Sequence, residues 1–131
     1  MEAASQAVDF GLSAIGQIGV SVGQIDRAIA FYRDTLGMKL LFQVPNMGFF
    51  DCGGVRLMLS GSEPKGETYA SILYFKVSDI GRAHETLAGR GVTFEQAPHL
   101  VARLPDHDLW LAFFRDPDRN LVALMSEVPR G

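Results

Sequence analysis

Residues 17–31, "QIGVSVGQIDRAIAF", align with residues 72–86, "ILYFKVSDIGRAHET", when the chain is shifted by 55 positions, and Val22 then falls on Val77. The first stretch opens with alternating apolar residues, as a half-buried strand does, and continues with apolar residues at helical spacing. The chain is therefore predicted to be an internal duplication, with about 50 to 55 residues in each copy.

Each predicted helix is followed by three strand-like runs that turn residues separate. In the first copy the turns are Pro45-Asn46 and Cys52-Gly53-Gly54, which are hairpin signals. Each copy is thus a βαβββ module. Two tandem modules predict an α+β fold in which a curved, mostly antiparallel sheet surrounds a cleft, because each helix covers only one side of its strands.

Composition shifts along the chain give its organisation. Residues 61–70, "GSEPKGETYA", are polar and rich in glycine and glutamate, as a linker is, and residues 1–13 lack a decisive period. One domain is expected over residues 14–127. Its parts and flanks are an N-terminal arm (1–13), module one (14–60), the linker (61–70), module two (71–127) and a tail (128–131).

Charge and composition exclude several classes of partner. The net charge is -3 and Lys and Arg form no run, so neither a nucleic acid nor an anionic membrane surface is expected as a partner. No apolar stretch approaches the length of a membrane span. The one cysteine, Cys52, excludes an internal disulfide and fits a reducing cytoplasm. A cytoplasmic protein with a small-molecule ligand is predicted.

Two segments carry a resemblance to a known family. "QIDRAIAFYRDTLGMKLLF" (24–42) and "FFRDPDRNLVALMSE" (113–127) resemble the hallmark segments of the vicinal oxygen chelate superfamily, which includes glyoxalase I, extradiol dioxygenases and bleomycin- and fosfomycin-resistance proteins. The resemblance covers residues 14–127. It implies the fold more strongly than the chemistry. In the bleomycin-resistance branch two chains commonly pair and form ligand sites between them, so a homodimer is expected.

The family turn is usually Asp-Pro-Asp-Gly-Asn, and Arg119 occupies the glycine position here. If Arg119 keeps a left-handed conformation, the missing glycine costs about 1–2 kcal/mol.

The resemblance also locates the family's metal-binding positions. They fall near the start of each module's first strand, at Gln17 and Ile72, and near the end of each last strand, at Leu57 and Ala123. Gln17 alone could contact a metal, and an amide is a weak, neutral donor. A transition metal needs at least three strong protein donors. No metal and no other cofactor is therefore expected, and a divalent metal held by other residues is the alternative.

Strand alternation selects candidate ligand contacts. Tyr74 and Lys76 share the predicted cleft side of their strand. Gln17 and Ala123, at the inherited metal positions on other strands, are candidate ligand contacts as well. Trp110 is interpreted either as a core side chain or as a stacking wall for a flat ligand.

Two histidines keep a second hypothesis open. His99 and His107 flank "LVARLPD", which is typical of a strand and turn, and they could donate hydrogen bonds to a ligand at the cleft mouth, form a substitute metal site with an aspartate, or lie on the surface.

The favoured prediction is a binder of a small, partly aromatic molecule in an apolar cleft. The alternative is a divalent-metal enzyme of the glyoxalase or dioxygenase type with non-standard ligands. A metal-free enzyme using Tyr74, Lys76 or a histidine, or a purely scaffolding role, also remains open. Whether the protein is an enzyme is left undecided; if it is one, it is a lyase, an isomerase or a dioxygenase.

Overall fold

The computed structural model describes residues 13, 15–61 and 71–130. The predicted arm, apart from Ser13, and the linker, apart from Gly61, lie outside the described residues. Module one contains β1 (Gln17–Ser21), α1 (Ile25–Ala30), a π-helical continuation of α1 (Phe31–Thr35), β2 (Lys39–Val44), β3 (Met47–Cys52) and β4 (Val55–Ser60). Module two contains β5 (Leu73–Lys76), α2 (Ile80–Gly89), β6 (Phe94–Arg103), β7 (His107–Arg115) and β8 (Leu121–Pro129).

The predicted α+β fold of two βαβββ modules is confirmed, and each module forms its own four-stranded sheet. The strand order is β1-β4-β3-β2 in sheet one and β5-β8-β7-β6 in sheet two. In each sheet the first and last strands of the module pair in parallel, and the other two pairings are antiparallel. β8 extends to Pro129, two residues past the predicted domain end at residue 127.

Local sequence explains where the helices begin and end. Asp79 caps α2, since its side chain accepts a hydrogen bond from the Arg82 backbone N–H at 3.0 Å. The helix of module one ends before Gly37, whose φ of +74° is the left-handed conformation that glycine adopts at helix ends. Neither described helix has the length and apolar character that a membrane crossing requires.

Each helix packs on one face of its own sheet and forms a separate core. The buried core of module one contains Val22, Ala28, Ile29, Tyr32, Phe50, Leu57 and Leu59. That of module two contains Ile80, Leu87, Val92, Ala112, Phe114, Val122 and Leu124. Phe31 packs against both cores and lies 6.5 Å from the Phe114 ring, so it joins the two modules on the helix side.

The β7–β8 turn, residues 116–120, makes polar contacts to module one. The Asp116 carboxylate accepts a hydrogen bond from the Tyr32 hydroxyl at 2.9 Å, and both residues are buried. Asp118 accepts from the Gly23 backbone N–H at 2.6 Å. The Asn120 side chain donates to the Ser21 carbonyl at 3.2 Å. The turn therefore adds several hydrogen bonds between the modules to the contacts that the helices make.

Candidate functional site

The face of each sheet that carries no helix is called its open face. On β8, Val122 and Leu124 pack beneath α2, so Ala123, Met125 and Glu127 belong to the open face by alternation. Tyr74 and Lys76 on β5 lie opposite Ala123 and Met125. The predicted cleft-side assignment of these two residues therefore agrees with the strand pairing.

Aromatic side chains dominate the centre of the open face of module two. Phe113 and Tyr74 are both cross-strand neighbours of Ala123, and their rings meet edge to face with centroids 6.3 Å apart. Tyr74 is 49% exposed, whereas Ala123 has no exposed surface. The structure thus places Ala123 on the predicted face but beneath its aromatic neighbours, and Tyr74 is the side chain that a ligand could reach.

Four charged or titratable side chains form a chain of contacts at one end of this face. Lys76 Nζ lies 3.1 Å from Glu127 Oε1, and His107 Nε2 lies 3.8 Å from Glu127 Oε2. His107 Nδ1 also lies 2.7 Å from Asp106 Oδ1, and this hydrogen bond is the main cause that lowers the pKa of Asp106. Lys76 and His107 were candidate contacts from the sequence, and Glu127 was not among them.

His99 belongs to a different part of the sheet. It pairs with Leu111 on β7, and its Nδ1 lies 2.8 Å from the Ala97 carbonyl oxygen. His107 is four residues away from Leu111 along β7, which corresponds to about 13 Å at ~3.3 Å per residue. The two histidines are therefore too far apart to bind one ion. Within residues 15–61 and 71–130, no three His, Cys, Asp or Glu side chains converge as a metal site.

Trp110 lies on the helix side of sheet two, where it packs against the core of module two. Its neighbours Leu109 and Leu111 pair with Glu127 and Met125 and share the open face with them. Trp110 therefore points to the other face by alternation. Of the two interpretations of Trp110, the core side chain agrees with this placement.

The open face of module one carries an array that sequence reasoning missed. Arg56 Nε donates to Gln17 Oε1 at 3.1 Å, and the Arg56 guanidinium lies 5.7 Å from the centroid of the Phe49 ring. Phe49 in turn stacks on Phe42, with centroids 4.6 Å apart and planes inclined by 20°. The pairing of Gln17 with Arg56 across β1 and β4 produces the array, and a single sequence does not reveal that register.

The register also corrects one inherited metal position. Leu57 is 2% exposed and packs in the core beneath α1, so the assignment of a ligand position to Leu57 was wrong by one residue. In module two, Ala123 pairs with Tyr74, which lies two residues after Ile72. In module one, the residue two positions after Gln17 is Gly19, and it pairs with Met58. Gln17 Nε2 lies 3.7 Å from the Met58 sulfur, so these two side chains are neighbours.

The residues at the four inherited positions do not fit a divalent metal ion. Ile72 and Ala123 offer no donor atom, and Met58 offers a soft thioether. The Gln17 amide oxygen already accepts from Arg56, which places a positive guanidinium beside the position that a cation would need.

Two further features are the Cys52 thiol and a cavity. Burial, reinforced by the neighbouring Asp51, raises the pKa of the Cys52 thiol, which opposes nucleophilic thiolate chemistry. A cavity of about 360 Å³ lies on the helix side, between the end of the module-one helix and α2, and Lys76 is the one predicted contact residue that lines it.

Comparison with known proteins agrees with this architecture. The sequence profile of the Glyoxalase/Bleomycin resistance protein/Dioxygenase superfamily matches residues 14–124. The uncharacterized protein YraH of Bacillus subtilis (strain 168) is 29% identical over an alignment of 126 positions, and the match covers 82% of this chain and 94% of that protein.

Solved structures share the fold. A lactoylglutathione lyase from Agrobacterium tumefaciens superposes with a TM-score of 0.71 at 22% identity and covers 88% of this chain and 94% of its own. A virulence protein from Salmonella typhimurium superposes with a TM-score of 0.74 at 21% identity and covers 91% of this chain and 100% of its own.

Proposed function

The chain belongs to the Glyoxalase/Bleomycin resistance protein/Dioxygenase superfamily, and on that premise we propose that it binds a small, partly aromatic molecule on its open faces without a metal ion. The observation that carries the proposal is the Gln17–Arg56–Phe49–Phe42 array of module one. The Arg56 guanidinium lies beside Gln17, which is one of the inherited metal positions, and none of these positions carries a carboxylate. A cation beside these positions favours a ligand that brings its own oxygen acceptors.

The array offers two complementary kinds of contact. The stacked rings of Phe42 and Phe49 provide an aromatic surface, and Phe42 is 46% exposed. Arg56 supplies planar N–H donors beside that surface, a combination suited to carboxylate or phenolate oxygens attached to a ring. In module two, Tyr74 and Phe113 provide a second aromatic contact.

Pairing of two chains is part of the proposal. β2 is an edge strand of sheet one, and Leu41, Phe42 and Val44 are 44%, 46% and 43% exposed. An edge strand with exposed apolar side chains favours pairing with another chain. We expect Val44→Glu to shift the protein from dimer to monomer in sedimentation equilibrium. Val101→Glu on β6, the edge of sheet two, is the matched control, because Val101 is 47% exposed.

Metal content and ligand-induced stabilisation test the binding proposal directly. The purified protein is expected to hold no stoichiometric transition metal, and naphthoate is expected to raise its melting temperature more than naphthalenemethanol does, because a ligand of the folded state stabilises it by mass action. Arg56→Gln should remove the preference for naphthoate. Arg33→Gln, on the π-helical continuation of α1, should keep it. A tightly held stoichiometric metal, or an unchanged preference in Arg56→Gln, contradicts the proposal.

A second candidate function is metal-free acid–base catalysis. It is favoured by the Lys76–Glu127–His107–Asp106 chain, in which a histidine contacts two carboxylates, and Glu127 contacts an ammonium. Such an arrangement can hold and move a proton next to a bound carbonyl compound. The test is exchange of carbonyl α-protons of aldehyde or ketone ligands in heavy water. Exchange that His107→Asn abolishes would support catalysis, and no exchange above the rate without protein would exclude it.

A further inference from the structure

The helix-side cavity defined above lies on the opposite side of the sheets from the open faces. Leu36 and Met38 line it from module one, and Phe75, Val77, Leu87 and Leu124 line it from module two. Its volume of about 360 Å³ falls in the range of small-molecule sites, and its walls are predominantly apolar. We propose that this cavity is a second ligand site, which takes a small molecule with an apolar body and a single carboxylate.

Charge decides the class of ligand. Among the described residues that line the cavity, Arg90 and Lys76 are basic and none is acidic. Lys76 directs its ammonium to Glu127 on the open face, so Arg90 is the cation available to a ligand in the cavity. Arg90 donates from Nη1 to the Thr35 carbonyl at 2.9 Å and forms no ion pair within residues 15–61 and 71–130. Its remaining side-chain N–H donors have no hydrogen-bond partner among these described residues and are available to an anion.

The C-terminal ends of both helices at the cavity also permit an anionic ligand. Helix C-termini carry partial negative charge that would repel a carboxylate if their carbonyls were bare. Here Arg90 occupies the Thr35 carbonyl, and the Thr86 and Leu87 carbonyls accept from the Arg90 and Val92 backbone N–H groups at 3.2 and 3.0 Å. The full charge of the guanidinium therefore outweighs the capped carbonyls at the cavity.

A matched series of eight-carbon probes tests the proposal on the full-length protein. Octanoate, 1-octanol and octylamine share an apolar body and differ in the head group. Octanoate is expected to bind best and to perturb the methyl NMR signals of Val77, Leu87 and Leu124. Arg90→Gln should weaken octanoate binding about tenfold, because a charge-assisted hydrogen bond is lost. Arg90→Lys should retain part of the affinity.

Two further variants keep the result interpretable. Thr86→Tyr enlarges an exposed residue at the cavity and should abolish octanoate binding with little effect on folding, because Thr86 is exposed on α2. Arg82→Gln on the same helix lies outside the lining and should leave binding unchanged. Equal binding of the three probes, unchanged octanoate affinity in Arg90→Gln, or methyl shifts confined to Met125 on the open face would overturn the proposal without touching the proposed function of that face.

Discussion

The two modules differ most at the turn before their last strand. In module one, Gly53 and Gly54 form a solvent-exposed two-residue hairpin turn with φ of +61° and +92°. The Asp51 carboxylate accepts one long hydrogen bond of 3.4 Å from the Gly54 N–H. In module two the corresponding turn, residues 116–120, is longer. Its Asp116 is 3% exposed and accepts four hydrogen bonds, two from backbone N–H groups and two from the Tyr32 and Asn120 side chains.

The difference shows how a duplicated unit acquired two roles. The strand and helix pattern is retained in both copies because each copy must bury its own apolar face. The turns have no such constraint, so one remains a simple hairpin while the other holds module two against the helix of module one. Duplication therefore explains the architecture, and the asymmetric turn explains how the copies are held together.

Loss of the Asp116 carboxylate is the largest expected effect. Asp116→Ala leaves the Tyr32 hydroxyl and two backbone N–H groups without their acceptor, and we expect the free energy of unfolding to fall by about 3 kcal/mol. Asp51→Ala in the other turn should change it by no more than about 0.5 kcal/mol. Urea unfolding of both variants measures the contrast, and similar losses would show that the two turns are equivalent. Asp116→Asn serves as the milder variant if Asp116→Ala does not fold.

Loss of the Tyr32 hydroxyl is expected to have the next largest effect on the free energy of unfolding. Tyr32→Phe removes one hydrogen bond to a buried carboxylate and should cost about 1.5–2 kcal/mol at neutral pH. Tyr74→Phe removes an exposed hydroxyl and should cost almost nothing.

Tyr32 also confers a pH dependence. Burial first, and then the Asp116 carboxylate, raise the pKa of Tyr32 far above its ordinary value. The folded state therefore keeps the phenol proton that the unfolded chain loses above pH ~10, so stability is complete below that pH and falls by at most about 1.4 kcal/mol per pH unit above it. Urea unfolding between pH 9 and 11 should show a steeper decline for the wild type than for Tyr32→Phe. Equal slopes would contradict the assignment.

The smallest expected effect concerns the backbone of the same turn. Arg119 has a φ of +68°, which confirms the left-handed conformation considered from the sequence. Arg119→Gly should raise the free energy of unfolding by about 1 kcal/mol, because glycine adopts this conformation without strain. Its ion pair with Glu95 at 3.6 Å is exposed and contributes little.

Asn46 is the matched control for Arg119, with a φ of +64° in the β2–β3 turn of module one. Asparagine tolerates the left-handed region, so Asn46→Gly should give no gain in thermal unfolding. A gain of the same size in both variants would indicate a general effect of glycine.

Particular residues show how far the sequence alone could lead. The helix faces of Ile25, Ala28 and Tyr32, the stop at Gly37 and the hairpin at Gly53-Gly54 follow from periodicity and turn chemistry, which are local. The open-face positions of Tyr74 and Lys76 follow from alternation along one strand. Ligand binding by Gln17, Tyr74, Lys76, His99, His107, Trp110 and Ala123 stays a prediction.

What the sequence by itself determined is the repeated βαβββ pattern and the absence of histidine and carboxylate side chains at Gln17, Ile72 and Ala123, because both depend on residue type and spacing along the chain. Only the tertiary structure decided that Met58 rather than Leu57 neighbours Gln17, that Arg56 lies over Phe49, that Ala123 is covered, and that Glu127 joins Lys76 to His107. These facts depend on the register between strands distant in sequence, and register is set by the packing of whole sheets rather than by any one segment.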